Sequence, residues 1–114
     1  MSHLPAVTDA TFEQDVLGSD RVVVVDFWAE WCPPCRALDP VLEAIAAAHP
    51  EISIVGLDAD NNPESALKYQ ALALPTMKVF RGGELVKTIV GAKPRAALEH
   101  ELAAFLEPQK HPVG

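Results

Sequence analysis

Hydrophobic residues along this chain change period several times, and the changes mark its elements. Val22-Val23-Val24-Val25-Asp26-Phe27-Trp28 is a β-branched and aromatic run broken by one carboxylate. Such a run reads as a strand buried on both faces. Upstream, Phe12, Val16 and Leu17 fall at helical spacing, with Thr8 or Asp9 placed to cap the helix and Gly18 to end it. A weaker apolar stretch over Leu4 to Val7 predicts a short first strand. After Trp31 the period lengthens: Leu38, Val41, Leu42 and Ile45 line one helix face. The alanines at 44, 46, 47 and 48 favour the same helix, which is predicted from about Cys32 to His49. Pro40 falls inside it, which removes one backbone hydrogen bond and predicts a kink.

The second half repeats the alternation. Ile52 to Leu57 is a second buried strand, and Asn62-Pro63-Glu64 opens a short helix with Asn62 as its cap. Thr76–Phe80 and Leu85–Val90 are two strands joined across Arg81-Gly82-Gly83-Glu84, a pair of glycines suited to a tight hairpin. Pro94 opens a last helix with Leu98, Leu102, Phe105 and Leu106 turned inward, and Pro108 closes it. Residues 109–114 carry no pattern and read as a flexible tail. The order β, α, β, α, β, α, β, β, α predicts an α/β fold. Its first three strands are parallel, its last two form an antiparallel hairpin, and helices cover both faces.

Size and charge narrow the function. The chain has 114 residues, 49% of them hydrophobic. It reads as one domain, with a core over about 8–106, large enough to fold without staples or a structural metal. Nine basic against sixteen acidic residues give a net charge of −7, which argues against a nucleic-acid partner. No apolar run reaches the roughly 20 residues that cross a bilayer. Met1-Ser2-His3-Leu4-Pro5 has no charged leader before an apolar core, so the cytoplasm is the expected location. A leader already removed would leave no trace.

That leaves two cysteines to explain. Cys32 and Cys35 sit where the valine-rich strand ends and the long helix begins. The first turn of a helix offers unpaired N–H groups and a positive dipole end, and both favour a thiolate at Cys32. Cys35 lies one turn further in, so the two sulfurs can meet. Cys32 can then attack a disulfide, and Cys35 can resolve the mixed disulfide that forms. Cys35 needs a base. Asp26, a lone carboxylate in an apolar strand, is the candidate, with a pKa raised by burial. Half a zinc site is the competing reading, but a structural zinc wants four ligands and there is no second cysteine pair. An inert structural disulfide is disfavoured too, because so small a loop constrains little.

The segment Val25-Asp26-Phe27-Trp28-Ala29-Glu30-Trp31-Cys32-Pro33-Pro34-Cys35-Arg36 resembles the active-site signature of the thioredoxin family. The resemblance continues through Pro40, Leu57-Asp58-Ala59-Asp60, Leu74-Pro75-Thr76, Gly82-Gly83 and Gly91. It implies a thioredoxin fold, a central mixed five-stranded sheet flanked by four helices, in a monomer. It implies a cis peptide before Pro75. It also implies a substrate surface of Trp31, Pro33, Pro34, Leu74, Pro75, Gly91 and Ala92, with Trp28 and Pro40 structural nearby. No bound cofactor is implied, since the Cys32–Cys35 disulfide is itself the redox centre. The implied partners are protein disulfides and a thioredoxin reductase, a flavin enzyme fed by NADPH. An exported oxidant or isomerase, and a non-catalytic binding subunit, remain open as alternatives.

Two residues depart from the family pattern. Gly56 stands where many thioredoxins have a lysine near the buried acid, so Asp26 is expected to be raised mainly by burial. Pro33 stands where the common bacterial motif has glycine. Proline stiffens the loop and removes an N–H donor at the helix start. The Cys32–Cys35 pair is therefore expected to be less reducing than in a Pro33→Gly variant. Equilibrating both proteins with glutathione checks this; equal or reversed potentials contradict it.

Overall fold

The structure, a computed structural model, describes residues 3–106. Strands β1 (Val22–Trp28), β2 (Ile52–Asp58), β3 (Thr76–Arg81) and β4 (Glu84–Val90) form one mixed sheet in the order β2-β1-β3-β4. Helices α1 (Pro33–Ala48), α2 (Pro63–Lys68) and α3 (Arg95–Glu101) join a π-helical turn at Glu13–Leu17, and a 3-10 turn at Ala103–Phe105 follows α3. β1 runs parallel to β2 and antiparallel to β3, and β3 pairs antiparallel with β4.

The sheet's period of two sorts the side chains of β1. Val23, Val25 and Phe27 face one core with Val55, Leu57 and Phe80, closed by Phe12, Val16, Ala66 and Ala71. There Phe12, Tyr69 and Phe80 meet ring to ring, with centroids 5.1 to 5.5 Å apart. Val24 faces the other core, with Leu38, Leu42 and Ile45 of α1 and Leu98 and Leu102 of the last helical segment. Asp26 shares the parity of Val24 and so points to the α1 side.

The predicted five-stranded sheet has four strands. Ala6 makes a single parallel bridge to Gly56, through Val7 N–H to the Gly56 carbonyl and Gly56 N–H to the Pro5 carbonyl, both 2.9 Å. Pro5 has no N–H to extend the ladder, so a strand does not form there. The predicted last helix is also shorter: it ends at Glu101 and tightens into the 3-10 turn, with Phe105 and Leu106 only half-buried. The predicted tail at 109–114 lies outside the described residues. The Gly82-Gly83 hairpin has φ of +61° and +81°, backbone that suits a primed two-residue turn.

Capping is exchanged between segments. Neither candidate caps the first helical segment, whose N-cap is Phe12; Thr8 and Thr11 instead accept from each other's N–H groups in the turn before it. Asp9 does not cap that turn; its carboxylate accepts from the N–H groups of Glu64 and Ser65, at 3.2 and 2.8 Å. Asn62, expected to cap α2, instead accepts from Asp9 N–H at 2.8 Å and donates to the Asp58 carbonyl at 3.0 Å. α2 is thus capped from 56 residues away in sequence. Asp9→Ala is expected to cost about 1 kcal/mol in urea unfolding, the usual worth of an N-cap. A loss under about 0.3 kcal/mol would show that this cross-chain cap carries no stability.

Candidate functional site

The site forms where β1 hands over to α1. Cys32 is the N-cap residue, in extended backbone, and Pro33 and Pro34 occupy the opening of the helix. Proline suits those positions, whose N–H groups have no partner inside the helix. The Cys35 N–H then donates to Cys32 Sγ at 3.3 Å, and the Cys35 and Arg36 N–H groups reach the Cys32 carbonyl. A helix start of this kind favours a thiolate over a thiol on a cysteine in its reduced form. Cys32 and Cys35 are joined as a disulfide, with Cα atoms 5.3 Å apart. Both are buried, packed with Ala29, and Trp28 and Leu74 lie against them.

The rest of the predicted surface divides by exposure. Trp31 is 66% exposed, and its indole Nε1–H donates to Asp60 at 2.7 Å, which fixes the ring. Pro33, Pro34 and Ala92 are exposed, Leu74 and Gly91 half-buried and Pro75 buried. The Leu74–Pro75 peptide is cis, as the resemblance implied. The Pro75 carbonyl accepts the Gly91 N–H at 2.9 Å, and the Thr76 hydroxyl donates to the Ala73 carbonyl. Gly91 has φ of +97°, which a side chain would disfavour. Trp28 is half-buried against the disulfide, while Pro40 is exposed on α1, which continues through it.

Asp26 has no exposed surface. Neither carboxylate oxygen has a hydrogen-bond partner. Its cross-strand neighbours are Gly56, which offers no side chain, and Met77, which offers no charge. Burial, and secondarily the charge of Asp39, push its pKa up to about 7. Burial is the main cause, as the sequence implied.

Asp39 itself went unremarked in the sequence. It is buried on α1 and lines a small cleft with Trp28, Cys35 and Arg36. An acid four residues after Cys35, among Leu38 and Leu42, was the available signal. Asp60, the anchor of Trp31, and the Arg36 guanidinium, which donates to the Glu30 carbonyl, were equally unassigned. His3, Asp39 and Glu43 form the one group of three or more metal-ligand side chains that converge among the described residues, and neither cysteine belongs to it.

A disulfide between residues i and i+3 at a strand-to-helix junction, its outer sulfur capping the helix, defines a site for dithiol–disulfide exchange. The thioredoxin family model matches residues 3–104. The chain is 59% identical over 95 residues to a thioredoxin of Streptomyces clavuligerus, which covers 83% of this chain and 89% of that one. It is 50% identical over 98 residues to a thioredoxin of Mycobacterium bovis, 85% of this chain and 84% of that one. A bifunctional thioredoxin reductase/thioredoxin of Mycobacterium leprae is 51% identical over 98 residues, 85% of this chain but 21% of that larger protein. The chain belongs to the thioredoxin family. It is a thiol–disulfide oxidoreductase that reduces disulfides by dithiol exchange.

The buried acid makes stability depend on pH. The raised pKa means the folded state holds a proton on Asp26 that the unfolded chain gives up near 3.8. The stabilisation is full below that range and is lost as pH rises through about 7. The loss from end to end is on the order of 4 kcal/mol. Asp26→Asn is expected to be a few kcal/mol more stable than wild type at pH 8 and close to it at pH 4. Parallel curves in urea unfolding at both pH values would contradict this.

Proposed function

We propose that this protein reduces protein disulfides in the cytoplasm as a monomer. In this reading Cys32 is the nucleophile, Cys35 the resolving thiol and Asp26 the base. The capping of the helix start by Cys32 Sγ is the observation that carries it.

In the reduced protein the Cys32 thiolate attacks a substrate disulfide. One substrate sulfur leaves with the electron pair and takes a proton, and a mixed disulfide remains on Cys32. Asp26 accepts the proton of Cys35, whose thiolate attacks Cys32 sulfur and displaces the second substrate sulfur. The substrate gains two electrons and two protons; the protein keeps the Cys32–Cys35 disulfide. A base with a pKa of about 7 is matched to this transfer near neutral pH.

Trp31, Pro33, Pro34, Leu74, Pro75, Gly91 and Ala92 form the docking surface in this account. The half-buried Leu74, against the disulfide, leads the cis peptide whose backbone would meet an extended substrate segment. Trp28 packs over the disulfide, and Pro40 is architectural. No cofactor is held. Electrons would come from NADPH through a flavin-dependent thioredoxin reductase. The Mycobacterium leprae relative, whose name joins the two activities, supports that partner. Electron transport and redox homeostasis follow from this role.

Cys35→Ser is the direct test. It is expected to accumulate mixed disulfides through Cys32 and to lose insulin reduction, with a fall of at least about a hundredfold. Cys32→Ser should trap nothing. Capture of no client by Cys35→Ser, or retained reduction in Cys32→Ser, would contradict the assignment.

A further inference from the structure

Away from the cysteines, α1 and the N-terminal segment bring together three side chains that disulfide exchange does not use. Asp39 and Glu43 lie four residues apart on α1 and share a face of that helix. His3 meets both. Its Nδ1 is 3.1 Å from Glu43 Oε2, and its backbone N–H donates to Asp39 Oδ2 at 3.2 Å. One ligand atom from each of the three residues falls within 4.8 Å of the other two. All three line one open cleft of about 360 Å³, together with Arg36 and Pro40.

The cluster is held from both sides. Asp39 is 7% exposed, so packing fixes its carboxylate as well as the bond from His3. The His3 side chain is exposed, but its backbone is tethered twice. It is bonded to Asp39, and the segment that follows is tied to β2 through the Val7 N–H and the Pro5 carbonyl, both 2.9 Å from their Gly56 partners. The imidazole is therefore delivered to α1 by the chain itself. Arg36, the cation of the cleft wall, donates to the Glu30 carbonyl.

Two carboxylates and an imidazole are the donor set of a borderline divalent cation such as Zn²⁺. Metal–ligand bonds of about 2.0–2.2 Å place neighbouring ligand atoms roughly 3–3.6 Å apart around such an ion. The His3–Glu43 pair already has that separation. The remaining gaps close by rotation of these same two side chains, which are 79% and 37% exposed, against the fixed Asp39. We propose that His3, Asp39 and Glu43 bind one divalent cation of the Zn²⁺ class, with water completing its coordination, and that the ion pins the N-terminal segment to α1. Binding needs neutral imidazole, so any proton on His3 is released to solvent. The site contains neither cysteine, and it stands whether or not Asp26 is the base.

The test is Zn²⁺ binding by the oxidised full-length protein without a histidine tag, in which the disulfide withholds both cysteines. Isothermal titration is expected to show one ion per chain with a Kd below about 100 μM. His3→Ala and Glu43→Gln should each weaken binding at least about tenfold, since even groups that only orient a metal ligand cost that much. Asp39→Asn should do the same, and if the buried amide prevents folding the other two variants still decide. A hundredfold excess of Zn²⁺ over Kd should raise the wild-type Tm by at least about 4 °C and leave that of His3→Ala in place. His49, 3.4 Å from Glu51 and 3.3 Å from Glu99, is the control, and His49→Ala should bind as wild type does. Binding that survives in both His3→Ala and Glu43→Gln, or that is lost in His49→Ala instead, overturns the proposal. Weak uptake of several ions, or no saturation by about 1 mM Zn²⁺, overturns it as well.

Discussion

A carboxyl group sealed inside the sheet, with no donor to either oxygen, is the constraint on which the rest of this molecule turns. An ionised carboxylate in that setting is costly, so Asp26 holds a proton far above the usual carboxylate range. The fold tolerates it because the neutral acid is small and the surrounding core is deep. Val24, two residues before it on the same face, packs with three α1 residues, Leu38, Leu42 and Ile45. Those contacts fix the helix against the strand, and the helix in turn carries Cys35 and is capped by Cys32. The stability lost to the acid and the position of the disulfide are consequences of one packing arrangement.

The helix start completes the site. Its N-cap residue supplies sulfur instead of the oxygen that usually caps a helix, and two prolines fill the positions where N–H donors would be idle. The outer sulfur is placed among positive partial charges, while the buried acid lies on the strand that leads to it. In the proposed reaction that contrast, an anion at the helix start and a neutral acid on the strand, would separate nucleophile from base. Around it, Trp31 is pinned by Asp60 and Leu74 rests against the disulfide, so an exposed apolar rim surrounds a buried redox centre.

Much of this was legible in residue order. Four valines followed by Asp26 and two aromatics could only be a buried strand with a misplaced charge, and Cys32 at its end could only meet a helix N-terminus. The cis peptide before Pro75 and the Gly82-Gly83 turn followed from the resemblance and from glycine's tolerance of positive φ. The failures have separate causes. Asp9 and Asn62 exchanged caps because a cap is chosen by which chain segment arrives in space, and sequence proximity says nothing about that. Leu4 to Val7 looked like a strand, but Pro5 limited it to one bridge. Asp39 was overlooked because an acid in a helix ordinarily faces water; only the folded structure shows it buried.

The central claim is that burial keeps Asp26 neutral close to physiological pH. Carbon-detected NMR titration of its side-chain carboxyl in the oxidised wild-type protein tests it most directly. The account predicts a midpoint of about 7, well separated from the exposed carboxylates. A midpoint near 3.8, the value of an unperturbed aspartate, would contradict it.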